Sequence, residues 1–145
     1  MTFRPMFAAV AMTAALALSP TSSSAQETAA EAFAEMEAAF GFVPSFFKVY
    51  PEHGVAAAWR LTRDLEISDK TALSPKVKSL INVAVGAQIP CEYCVFADTE
   101  AAKAAGATDE EIREAVAQAA LTRHWSTILN GMQVDIDAFR TEFGG

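Results

Sequence analysis

Ile89-Pro90-Cys91-Glu92-Tyr93-Cys94 is the stretch on which the reading of this 145-residue chain turns. Proline lacks an amide hydrogen and disfavours helix in the residue before it, so Ile89-Pro90 closes one helix and lets another start. Cys91 then falls in the first turn of the new helix, where unpaired amide hydrogens and the positive end of the helix dipole stabilise a thiolate. Cys94 follows one turn later on the same side, within reach of a disulfide that can close and reopen. Such a pair can attack an oxidant with one sulfur and resolve the resulting sulfenic acid with the other.

Helical signals continue in both directions. Upstream, Ser74-Pro75 is an N-cap followed by a first-turn proline, and Val77, Leu80, Ile81, Ala84 and Val85 form an apolar stripe up to Gln88. Before it, Pro51 suits the first turn of a helix running to about Ile67, reached through the aromatic connector Phe42-Val43-Pro44-Ser45-Phe46-Phe47. Phe46, Phe47 and Trp59 are expected in the core. Gln26 to Phe40 places Ala29, Phe33, Met36 and Phe40 at helical spacing among glutamates, with Gly41 as a natural stop. Downstream, the helix carrying the cysteines ends at Gly106. Thr108 to Glu111 is a capping box opening a helix to Asn130, and Asp135 caps a short final one. No alternating strand pattern interrupts this series, so the fold class is all-α, with about six helices in one domain.

Residues 1–25 stand apart. Arg4 gives a short basic start, Met6 to Leu18 is almost unbroken apolar sequence, and Ser23-Ser24-Ala25 supplies the small residues of a signal-peptidase site. The apolar run is shorter than the roughly 20 residues that span a bilayer as a helix. A cleaved signal peptide is therefore expected, with a mature domain over residues 26–145 and a periplasmic or secreted location. After cleavage no membrane association is expected. Loss of Arg4 moves the net charge from −7 to −8. Nucleic acid is an unsuitable partner for a chain so acidic, because binding a row of phosphates requires a basic footprint.

Three other uses of the cysteine pair compete. A structural disulfide suits an exported protein, but so short a loop restricts the unfolded chain less than a long-range bridge. A zinc site needs two further ligands, for which His53, His124 and acids are the candidates. A thioredoxin fold needs strands alternating with helices, which this chain lacks. No metal and no bound organic cofactor are expected.

Leu73-Ser74-Pro75-Lys76, Ile81 to Val85, Ile89 to Cys94 and Ala104 to Ile112 together resemble the alkylhydroperoxidase D-like branch of the carboxymuconolactone decarboxylase family. Thr122-Arg123-His124-Trp125-Ser126-Thr127 with Asn130-Gly131 looks like a subgroup signature within it. The resemblance implies an all-helical protomer that assembles into a homo-oligomer, a trimer or hexamer, with dithiol peroxidase activity. It makes Cys94 the peroxide-attacking sulfur and Cys91 the resolving one. Active members carry a Glu twelve residues before the first cysteine and a His four after the second, where this chain has Ser79 and Asp98.

An ionised Asp98 would repel a Cys94 thiolate, whereas burial that raised its pKa would let it serve as a base. His124 is a second candidate base, if its helix packs against the one bearing Cys94. Ser79 and Asn82 share a helix face and either hold a water near the thiols or face solvent. The expected function is an exported thiol-disulfide oxidoreductase that reduces a small hydroperoxide and is itself reduced by an extracytoplasmic dithiol donor. The alternatives are a lactone-binding decarboxylase and a helical oligomer whose disulfide is only structural.

Overall fold

The computed structural model describes residues 27–144, so the expected leader, its cleavage site and the start of the mature domain at Gln26 lie outside the described residues. Within them the chain forms helices and no strand: α1 (Ala29–Phe40), α2 (Ser45–Lys48), α3 (Glu52–Thr62) running into a π-helical turn (Arg63–Ile67), α4 (Pro75–Gln88), α5 (Glu92–Ala104), α6 (Asp109–Gly131) and α7 (Ile136–Glu142). The all-α expectation holds, with the single-turn α2 added to the six helices read from the sequence.

The start and stop signals act where the residues put them. Thr28 caps α1 with a capping box, its hydroxyl accepting from the Glu31 amide while the Glu31 carboxylate accepts from the Thr28 amide at 2.7 Å. With that cap the helix starts at Ala29, three residues after Gln26. Gly41 ends α1 in the left-handed region at φ +77°, donating to the Glu37 carbonyl. Ser74 caps α4 with Pro75 in its first turn, Thr108 and Glu111 form the capping box of α6, and Asp135 accepts from the Ala138 amide at 2.7 Å. Pro51 sits one position before α3 rather than inside it.

The first half of the molecule is built on an aromatic core. Ala32 and Met36 of α1, Phe47 of α2, and Val55, Ala56 and Trp59 of α3 are buried together. The Trp59 ring meets Phe40 and Phe47 edge-on, at centroid distances of 5.8 and 6.1 Å. Its indole N–H donates to Glu35 Oε2 at 2.7 Å, so the one polar atom of the ring is satisfied. Phe46, expected beside Phe47, is instead 64% exposed. Neighbouring residues of a helical turn point about 100° apart, so α2 can bury only one of the two rings.

In the second half α4 is central, packed most extensively along α5 and next along α6. Its buried residues are Lys78, Ser79, Val83 and Gly86, not the apolar stripe: Val77, Ile81 and Val85 stay exposed. Close approach of two helices requires small side chains at the contact, and Gly86 supplies one where α4 meets Cys94 and Val95 of α5. Among the described residues, no helix is long and apolar enough to cross a membrane.

Candidate functional site

Cys91 is the N-cap of α5, and its sulfur accepts the backbone N–H of Cys94 at 3.2 Å. A cap satisfies one of the orphan amides at a helix start, and here a cysteine sulfur does so in place of the usual oxygen. The dipole at such a position favours negative charge by up to about 1 kcal/mol, under one unit of thiol pKa. The two cysteines are joined as a disulfide, with Cα atoms 5.3 Å apart.

The other side of the pair faces α4. A Cβ placed on Gly86 would lie 3.2 Å from Cys94 Cβ and 3.4 Å from the Val95 amide nitrogen. Glycine thus sets the distance between α4 and the dithiol, and a branched side chain there would push the helices apart. The end of α4 is tied from outside as well, since Arg123 of α6 donates to Gln88 Oε1 at 2.8 Å.

An open cavity of about 580 Å³ lies beside Cys91, walled by Gly86, Ala87, Pro90, Val95 and Phe96, with Glu92 and Glu100 at its edge. A second, of about 1020 Å³, adjoins it through Glu92 and Phe96 and is lined by Phe40, Phe42, Phe46 and Tyr93. Both are mostly hydrocarbon-walled, the usual make-up of small-molecule sites. Phe46, misplaced in the core by sequence reasoning, is part of this surface.

Asp98 stands one turn after Cys94 on α5 and is half-buried. Burial pushes its carboxyl above the usual carboxylate range, and the negative charge of Glu66 adds to this. Glu66, which the sequence reading did not single out, sits on the π-helical turn and accepts from Asn82 Nδ2 at 3.2 Å. The Lys78 ammonium, also buried, donates to the Glu66 and Ser68 carbonyls at 3.1 Å each. Ser79 is 4% exposed, which removes the solvent-facing reading of that residue; Asn82 is half-buried. A π-turn near a functional residue was the one signal for Glu66, and it is a feature of backbone winding rather than of sequence.

His124 is exposed on α6, its ring edge-on to Trp125 at 5.2 Å, and it lines neither cavity. α6 packs chiefly on α4 and meets α5 much less. Among the described residues, no group of three or more His, Cys, Asp or Glu side chains is placed to hold a metal ion.

The fold is similar to the crystal structure of the alkylhydroperoxidase AhpD core from Rhodospirillum rubrum, with a TM-score of 0.67 and 24% identity over 77% of this chain and 85% of that one. No curated protein matches the sequence. The model of the carboxymuconolactone decarboxylase family matches residues 54–136, more than half of the chain and all of the α4–α6 unit that holds the dithiol. The chain belongs to the carboxymuconolactone decarboxylase family.

Proposed function

We propose that this protein is an exported dithiol hydroperoxidase. The observation that carries the reading is the Cys91–Cys94 pair at the N-terminus of α5, beside an open apolar cavity. The Cys94 thiolate attacks the terminal oxygen of a hydroperoxide, the O–O bond breaks, and the departing alkoxide takes a proton to leave as an alcohol. Cys94 is left as a sulfenic acid. The Cys91 thiolate then displaces its oxygen, which leaves as water after protonation, and the disulfide forms.

An external dithiol restores the pair by returning two electrons and two protons. Attack of that donor on Cys94 expels Cys91, the sulfur held by a helix-terminal amide, and the better-stabilised thiolate leaves faster. The hydrocarbon walls suit an organic hydroperoxide better than hydrogen peroxide. The leader expected over residues 1–25 would place that donor outside the cytoplasm. Self-association is supported by the bare stripe of Val77, Ile81 and Val85, which a homo-oligomer would cover.

A second assignment has Cys91 attack, on the grounds that it lines the cavity and caps the helix. Sulfenic acid trapping separates the two. One equivalent of tert-butyl hydroperoxide added to reduced Cys91→Ser should yield one equivalent of tert-butanol and a dimedone adduct on Cys94. An adduct found on Cys91 in Cys94→Ser, with none on Cys94 in Cys91→Ser, would reverse the roles. Alcohol without any adduct would sink the thiol mechanism.

A further inference from the structure

We propose that the aromatic cleft beside the dithiol is the subsite for the organic half of the substrate, and that Glu92 makes the site selective for an uncharged aryl hydroperoxide over an anionic one. The inference rests on the hydroperoxidase reading and holds for attack by either sulfur.

The cleft is continuous with the space at the sulfurs. The cavity that reaches Cys91 and the larger one of about 1020 Å³ share Glu92 and Phe96 as lining residues. These two stand four apart on α5, so their side chains are neighbours separated by about 6 Å along the helix axis. A hydroperoxide whose O–O group meets the pair has its organic part at Phe96, which belongs to both cavities.

Rings line the larger cavity from four parts of the chain: Tyr93 and Phe96 from α5, Phe40 from the end of α1, Phe42 from the connector and Phe46 from α2. All five are exposed, although each is large and mostly apolar. Exposed apolar side chains scattered singly are ordinary, but a group gathered on one concave wall marks a binding surface. A ring entering there meets the edges and faces of others, the arrangement aromatic pairs favour. Phe40, Phe42 and Phe46 precede residue 54, where the match to the family model begins, so this wall lies outside the stretch on which family membership rests.

Charge narrows the class of ligand. Among the described residues no Lys, Arg or His lines either cavity, while Glu92 lines both and Glu100 the one beside Cys91. A carboxylate on the organic part of the substrate would meet like charge and lose hydration with no cation to offset it. An uncharged ring meets neither cost.

The test is the rate at which the reduced protein loses its two thiols to tert-butyl, cumyl and para-carboxycumyl hydroperoxide, each divided by the rate for free cysteine. One hydroperoxide gives one alcohol and one water as the disulfide forms. Cumyl differs from tert-butyl by a phenyl in place of a methyl, and its corrected rate should be about tenfold higher, the gain from placing most of a ring against hydrocarbon. Phe46→Ala should lower that preference about threefold through loss of one aromatic contact, and Phe46→Tyr should restore it. Glu92→Gln should raise the ratio of the para-carboxycumyl to the cumyl rate about threefold by removing the like charge. Ratios of this kind cancel any change in the thiols themselves.

A cumyl preference that survives both Phe46→Ala and Phe42→Ala would confine the substrate to the cavity beside Cys91 and overturn the subsite. Phe42→Ala reads the same wall should Phe46→Ala fail to fold. A carboxylate ratio unmoved by Glu92→Gln would overturn the selection by charge. A fall in the solution mass of Phe46→Ala with its cumyl preference intact would show that a second copy covers the rings, which also overturns the inference. A fast tert-butyl rate without a cumyl preference would overturn the inference alone, whereas tert-butyl and cumyl rates no faster than those of free cysteine would overturn the hydroperoxidase reading, and this inference with it.

Discussion

Replacing Cys94 by serine is expected to lower the consumption of an organic hydroperoxide under excess dithiothreitol by about a thousandfold or more, because a hydroxyl at neutral pH offers no usable anion. The substitution preserves the shape of the side chain at its contact with Gly86, so helical circular dichroism of the reduced protein should not change. Loss of turnover is then a chemical effect rather than a folding one. Undiminished consumption would contradict the mechanism, and turnover lost only in Cys91→Ser would move the attack to the other sulfur.

Trp59→Ala is expected to cost about 3–5 kcal/mol of stability, the range for truncating a large buried aromatic side chain. Trp59 is 1% exposed and stands between Phe40 and Phe47. Each edge-to-face contact contributes about 0.5–1.5 kcal/mol beyond burial, so the loss should fall toward the upper end. Glu35 would keep its second partner, Arg63 Nη1 at 2.7 Å, which limits the polar part of the damage. Urea denaturation would register the change as a lower midpoint at unchanged slope. A loss below about 1 kcal/mol, the size of an average point substitution, would mean that α1–α3 do not share the core described above.

The sequence made local events legible. Ser74-Pro75, Thr108 to Glu111, Gly41 and Asp135 each act through hydrogen bonds or backbone angles within four residues, so their effect is written beside them. The break at Ile89-Pro90 and the helix opening behind Cys91 belong to the same class. What depends on how helices turn toward one another was not legible. Val77, Ile81 and Val85 of the α4 stripe point outward while Gly86 permits the close approach of α5, and only the packed pair reveals this.

Phe46 and Phe47 are chemically identical, and the one-turn α2 alone decides that Phe47 is buried and Phe46 lies at the cavity. Glu66 was missed for a related reason: it stands sixteen residues before its partner Asn82, on a π-helical turn that the fold brings against α4. The sequence made the behaviour of Asp98 depend on its burial; the residue is half-buried, and burial pushes its carboxyl up.

The most direct test of the hydroperoxidase reading is the rate at which the reduced protein loses its two thiols to an organic hydroperoxide, set against free cysteine under the same conditions. The account predicts a rate about two orders of magnitude or more above free cysteine, with the disulfide as the end product, as expected for a thiolate activated by its site. A rate no faster than free cysteine would contradict it and leave Cys91–Cys94 as a structural bridge.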